Sequence, residues 1–216
     1  GELFSYLRTC GKEIHWTLHD CWAFTGHCAY FDYVGCEKWK TGCHDCPQKG
    51  TYPDSILADN SRKNYLRKRA LFTGIPNLTL TVPSRWLEGR VKESFLKDYP
   101  IEVIYNQVDK SIFRPTPGDF REKYQLENKI IILGVASVWE ARKGLKDFLE
   151  LSRLLSEEYQ IVLIGLNEKQ LAALPAEILG LPRTDNVRQL AQAYTAADVF
   201  VCPSTEETFG MTVLEA

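Results

Sequence analysis

Two glutamates, Glu207 and Glu215, are separated by seven residues, with Phe209 and Gly210 in the interval. Glycine there lets the backbone come close to a ligand, and a helix beginning at Met211 would turn its free N–H groups toward an anion. Glu215, about a turn into that helix, could accept hydrogen bonds from a ribose diol. Glu207, in the loop ahead of the glycine, stands nearer any reacting centre. Two solvated glutamates favoured by the helix dipole would show the same spacing. Arg142 and Lys143 stand at the mouth of another helix, backed by Gly144. A cation beside oriented N–H donors is what a phosphate or diphosphate requires, and a solvated basic pair is the plain alternative.

A third group is built of sulfur. Cys21, Cys28, Cys36, Cys43 and Cys46 fall within 26 residues, while Cys10 and Cys202 lie far off. The spacing suits a tetrahedral structural zinc site of Cys28, Cys36, Cys43 and Cys46, with Cys21 or His44 in reserve. Reduced thiols packed as small apolar groups, disulfides and an iron–sulfur cluster stay open as alternatives. Four thiolates leave no open coordination position, so such a metal would brace a loop and not catalyse.

The elements that must position these groups follow from apolar periodicity. In the second half, continuous apolar runs at Ile130–Val135, 161–164 and 199–202 predict strands, with helices at 145–155 and 187–197 between them. Strands without polar alternation, separated by helices, imply a parallel sheet covered on both faces. Ligands of such sheets sit beyond the carboxyl ends of the strands, where the loops after Val135 and Cys202 carry the groups above. In the first half a short apolar stretch at 14–18 precedes a long structured loop at 21–46. A helix at 60–72 and a strand at Leu78–Val82 follow. Ser84 caps a helix in which Leu87, Val91 and Phe95 recur, and Pro100 ends it before a strand at 101–105. Residues 106–120, with two prolines and a glycine, read as the boundary between a domain at 1–109 and a domain at 110–216.

The chain has 216 residues, 44% of them hydrophobic and 25% charged, enough for a buried core. A net charge of −2 gives no global basic field, which disfavours nucleic acid as partner. No apolar run reaches the roughly 18 residues of a membrane-spanning helix. With no initiator methionine and a helix start at the very end, the sequence reads as a fragment, so the absence of a leader at residue 1 says nothing about export.

The stretch PSTEETFGMTVLEA, with its two spaced glutamates, resembles the Glu-x7-Glu signature of retaining glycosyltransferases of family four. The supports stand in the family's order: VIYNQVDKSIFRP is similar to the crossover between domains, RKG to the phosphate-binding Lys-Gly, and AYTAADVFVCPS to the lead into the signature. The TLHDCWAFTGHC segment and the GCHDCP after it resemble enzymes of bacterial capsule, O-antigen or colanic-acid-type polysaccharide assembly. The resemblance implies an α/β GT-B fold of two Rossmann-like domains, both incomplete here. It implies transfer of a sugar from a UDP- or GDP-sugar to a hydroxyl of a lipid-linked glycan, with retention and without a catalytic metal. On the matching positions, Glu215 would hold the ribose, the Phe209, Gly210 and Met211 backbone with Lys143 the diphosphate, and Glu207 and His19 the donor sugar. Ser137 stands where the family commonly has an arginine, so Arg142 is the second cation to expect.

That assignment places the protein in the cytoplasm at the inner face of the plasma membrane, where Arg62, Lys63, Arg67, Lys68 and Arg69 of one helix could meet anionic lipid. A solvated helix face explains the same residues. Trp16, Trp22 and Trp39 could stack on acceptor sugars or pack internally. Two rival readings are a GT-B-fold nucleotide-sugar epimerase and a non-catalytic zinc-stabilised binding module. A hydrolase with paired carboxylates has no use for a Lys-Gly phosphate loop.

Overall fold

The computed structural model describes residues 1–55 and 58–216. The chain divides into two units, Gly1–Asn106 and Gln107–Ala216, where the sequence reading set the break after residue 109. In the first unit α1 (Glu2–Thr9) precedes β1 (Ile14–Thr17), and α2 (Ser61–Phe72), β2 (Leu78–Val82), α3 (Arg85–Lys92) and β3 (Ile101–Val103) follow. The strands form one parallel sheet in the order β1-β2-β3. Helix α1 is absent from the sequence reading. It docks through Phe4 and Leu7, and the Phe4 ring lies 4.8 Å from that of Phe72.

Helix α3 begins as expected, with the Ser84 hydroxyl accepting the Leu87 N–H at 3.1 Å. It stops at Lys92, well before Pro100, because Ser94 turns its hydroxyl onto the Val91 carbonyl and accepts the Leu96 N–H, which competes with the helical pattern. Phe95, expected on the helix face, packs instead from the following turns against Tyr65.

Between β1 and α2 the described chain has no strand and only single 3-10 turns at Trp22–Phe24 and Lys38–Lys40. Aromatic packing holds it: Phe24, Phe31 and Trp39 are fully buried, and the rings of Phe31 and Trp39 stack at 4.6 Å. This group is continuous with the apolar face of the sheet at Leu78, Leu80 and Val82. Trp39 is therefore core, Trp16 is half-buried against Phe72, and Trp22 keeps an exposed ring.

In the second unit α4 (Phe120–Tyr124), β4 (Ile130–Val135), α5 (Leu145–Leu151), β5 (Tyr159–Leu166), α6 (Glu168–Ala173), β6 (Ile178–Pro182), α7 (Val187–Ala196), β7 (Val199–Phe200) and α8 (Met211–Glu215) follow in order. All four strands are parallel, in the order β6-β5-β4-β7. Successive side chains of a strand point to opposite faces, and both faces here are covered. Ile132, Ile161 and Leu163 pack with Phe148, while Ile131, Leu133, Val162 and Ile164 pack with Phe120 and Ala193. The sequence reading has no counterpart for α4, α6 or β6, and it runs α5 on to 155 and β7 on to 202. β6 pairs only with β5, and its ILGLP sequence is too short and too glycine- and proline-rich to announce a strand. Among the described residues no helix is long and apolar enough to cross a membrane.

Asp198 ties the end of α7 to the start of β4. Its carboxylate accepts the Ile131 N–H and the Arg121 guanidinium, both at 2.7 Å, and Arg121 also donates to the Ala196 carbonyl. The Ile131 N–H, and then Arg121, hold the Asp198 carboxyl below its usual range. A carboxyl lowered in the folded state contributes stability that is complete above the unfolded pKa, near 3.9, and is lost as pH falls through the lower folded value. Asp198→Ala is expected to cost about 1–2 kcal/mol at neutral pH. The loss should shrink on acidification below about pH 4, where wild type forfeits the same contribution. Urea unfolding of both proteins from pH 7 to pH 3 checks this; a gap that widens toward acid would refute it.

Candidate active site

Two loops at the carboxyl end of the second sheet carry the residues singled out above. The first leaves β4, and Trp139 anchors it: the indole N–H donates to the Ile164 carbonyl at 3.0 Å, and the ring meets Phe148 edge-on at 5.6 Å. Gln170, whose side chain also closes the Asn167 capping box of α6, donates to the Trp139 carbonyl. The loop then makes one 3-10 turn at Ala141–Lys143, and Gly144 in the left-handed region (φ 76°) starts α5. A side chain at Gly144 would collide with Pro203 of the second loop, so the two loops approach as closely as backbone allows.

The second loop leaves β7 and is stitched to the first. Thr205 donates its N–H to the Arg142 carbonyl at 2.9 Å, and the Arg142 guanidinium donates to the Glu206 carbonyl at 3.1 Å and to the Glu140 carboxylate at 3.1 Å. Arg142 thereby braces the neighbouring loop. Lys143 donates to Glu207 in an ion pair in which both side chains are largely covered. Removing either partner would leave the other charge partly buried.

Gly210 is left-handed (φ 82°) and begins α8. The backbone of Phe209, Gly210 and Met211 follows Glu207 after Thr208 and turns into α8. Glu215, at the end of α8, accepts the Tyr194 hydroxyl of α7 at 3.0 Å. Burial pushes the Glu215 carboxyl up, while burial and the facing Glu215 push the Tyr194 hydroxyl well up. Tyr194, Trp139 and the buried Glu206 are missing from the sequence reading. Tyr194 lies in AYTAADVF, where an aromatic among alanines on a helix face is a packing signal, and nothing in its spacing points to Glu215. A separate cavity of about 400 Å³ near the end of β6 is lined by Pro182, Arg183, Thr184 and Gln189. None of Arg142, Lys143, Glu207 and Glu215 lines it.

In the first unit His19 is exposed just beyond the carboxyl end of β1. Arg62, Lys63, Arg67 and Arg69 are exposed on α2, but Lys68 is not part of that basic face. It is buried, with its ammonium 3.4 Å from the centre of the Trp22 ring and donating to the Trp22 carbonyl. Ser61, Tyr65, Lys68 and Phe72 make the buried face of α2, a helical spacing that a reading by charge alone overlooks. All seven cysteines are reduced. Cys28, Cys36, Cys43 and Cys46 come together, and Cys46 hydrogen-bonds the Cys28 thiol. Among the described residues no group of three or more His, Cys, Asp or Glu stands in coordination geometry. Of the reserves, Cys21 is buried with its N–H on the Ala29 carbonyl, and His44 pairs with Asp45 in solvent.

A doubly covered parallel sheet whose carboxyl-end loops join a lysine, a left-handed glycine and spaced glutamates defines a Rossmann-like unit, and the fold is that of the GT-B glycosyltransferases. Residues 128–216 match the family model described as glycosyl transferases group 1. The chain is 49% identical over 79 residues to a protein named as a colanic acid biosynthesis glycosyl transferase, WcaC, of Escherichia coli (strain K12), covering 33% of this chain and 19% of that one. It is 27% identical over 154 residues to the processive diacylglycerol alpha-glucosyltransferase of Acholeplasma laidlawii, covering 66% of this chain and 46% of that one. Among solved structures it is similar to Anabaena Alr3699/HepE in complex with UDP-glucose, with a TM-score of 0.56 at 19% identity over 75% of this chain and 48% of that one. The chain thus spans less than half the length of these proteins.

Proposed function

We propose that this chain belongs to a retaining glycosyltransferase that moves a sugar from a UDP- or GDP-sugar to a hydroxyl of a lipid-linked glycan during cell-surface polysaccharide assembly. The observation that carries the reading is the meeting of Lys143, Glu207 and the Gly210 turn at the carboxyl end of one parallel sheet. A sugar departing from a nucleoside diphosphate leaves negative charge on the departing oxygen. Lys143 and the backbone N–H groups after Gly210 stabilise that charge more as it develops than before. Glu207, paired with Lys143, stands beside the reacting sugar, and Glu215, oriented by Tyr194, receives the ribose hydroxyls. His19 is assigned to the donor sugar on the family resemblance alone. Enzymes of this family generally need no catalytic cofactor.

The naming of one relative as a colanic acid enzyme supports the polysaccharide assignment, and the naming of another as a diacylglycerol glucosyltransferase supports an acceptor held in lipid. The UDP-glucose bound by the Anabaena protein supports a nucleotide-sugar donor. Work on a lipid-linked acceptor puts the protein in the cytoplasm at the inner leaflet. There Arg62, Lys63, Arg67 and Arg69 on the exposed face of α2 would each contribute about 1 kcal/mol on an anionic surface.

A thermal-shift series with UDP, GDP and ADP tests the donor site. One nucleotide at about 100 times its Kd should add about 2.7 kcal/mol of stability. That corresponds to a rise of several degrees in Tm, and Glu215→Ala should remove it. If no nucleotide stabilises the wild-type protein, the donor-site reading fails.

A further inference from the structure

The loop between β1 and α2 carries a group of side chains that sugar transfer does not use. Cys28 and Cys43 are buried, Cys36 and Cys46 half-buried, and all four are reduced. The Cys46 and Cys28 thiols are hydrogen-bonded, Cys46, Cys43 and Cys36 each act on the Cys28 thiol, and Cys36 and Cys46 act on Cys43. Four thiols from 19 residues of chain thus share one neighbourhood.

Two features around the sulfurs are arranged for negative charge. The Gly26 N–H donates to the Cys43 sulfur at 3.1 Å. Any side chain at Gly26 would collide with the Ser61 carbonyl and the Cys43 Cβ, so the backbone is held against the sulfur. The second feature is Lys68. Its side chain is buried and, among the described residues, makes no ion pair with a carboxylate within 4.0 Å, although Asp20 acts on it from farther off. A buried ammonium requires compensation; the Trp22 carbonyl and ring supply part of it, and Cys43 and Cys28 are near enough to act on it. Neutral thiols offer it little. Four thiolates around a divalent ion carry a net charge of about −2 and would offset it.

We propose that Cys28, Cys36, Cys43 and Cys46 bind one zinc ion as four thiolates, with the Lys68 ammonium and the Gly26 N–H as outer partners that offset the excess negative charge. Four protons leave to solvent as the ion binds, and no electron is transferred. The sulfurs are neighbours but do not stand in coordination geometry. Binding therefore draws the turn at Lys38–Lys40 and the part of the loop around Cys28 together, fixing a segment that has no sheet or α-helix of its own. Outer groups that orient or neutralise ligands typically change metal affinity by about 10–100-fold.

Elemental analysis of full-length protein purified without chelator should give one zinc per chain. Exchange with cobalt should give the intense visible bands of a tetrahedral ion together with sulfur-to-cobalt charge transfer. In chelator competition Lys68→Gln should bind zinc about 10–100-fold more weakly with an unchanged cobalt spectrum, and Lys68→Arg should recover most of the loss. Folded wild-type protein that neither contains zinc nor gives a tetrahedral thiolate spectrum with cobalt overturns the proposal. So does a disulfide among the four cysteines after anaerobic purification, or bound iron with labile sulfide. An unchanged affinity in Lys68→Gln removes Lys68 from the site.

Discussion

Glu207→Gln in the full-length protein is expected to lower kcat for sugar transfer by at least about 10²–10³-fold, the scale set by removing one preorganised electrostatic group at a reacting centre. Affinity for the nucleotide should stay within a few-fold of wild type, because the ribose and diphosphate are assigned to Glu215, Lys143 and the Gly210 turn. Lys143→Ala should lower both, since its ammonium is assigned to the diphosphate in the bound state and to the departing oxygen in the transition state. The two side chains form one ion pair, so their effects should not add: the double variant should fall short of the product of the single effects. Rapid-quench transfer kinetics and calorimetric titration with the nucleotide separate these outcomes. Unimpaired transfer by Glu207→Gln would take Glu207 off the list of groups at the reacting centre, whatever the nucleotide does.

The second large effect concerns stability. Gly165→Ala is expected to destabilise the second unit by about 4 kcal/mol, through a conformation that L side chains rarely adopt and a clash that must move backbone. Gly165 has φ 100°, and a Cβ there would lie 1.7 Å from the Ala136 carbonyl oxygen. It sits at the β5 irregularity where the register with β6 shifts between Ile164 and Leu166. That same stretch receives the Trp139 indole, so the variant should also loosen the loop that ends in Lys143. Gly210→Ala is the comparison. Its φ is 82° but a Cβ there meets only Val213, at 3.7 Å, so about 1–2 kcal/mol is expected from conformation alone. Equal losses in chemical denaturation of the two variants would contradict the argument from the Ala136 carbonyl.

The second unit was readable because its sheet is buried on both faces. Residues such as Ile131, Ile132 and Leu133 then have no polar alternation, and a continuous apolar run marks a strand between helices. Lys143, Gly210 and the two glutamates were legible for a related reason, since the loops that carry them lie at the ends of those runs. Tyr194 was not, because its bond to Glu215 joins positions 21 residues apart that meet only when α7 packs beside α8. The loop from β1 to α2 yielded its cysteines to spacing and nothing else. Its stability comes from Phe24, Phe31 and Trp39 closing over the sheet, and aromatic packing without regular hydrogen bonding has no period to read. By charge Lys68 belongs with the basic face of α2, but helical phase decides its side. In the phase of Tyr65 and Phe72 it points inward.

Parallel pairing also has a kinetic consequence. β4 and β5 meet after a crossover of 23 residues, whereas β1 must find β2 across 60. Closing the longer loop costs about 0.8 kcal/mol more in chain entropy before any pairing contact compensates. Rates fall as contacts become more distant along the chain, so the β4-β5 pair of the second sheet should form before the β1-β2 pair of the first. Any link that gathers residues 28–46 early would shorten the effective search for β1 and β2. The loop is thus the segment through which the folding rate of the first sheet can be set without altering a single strand residue.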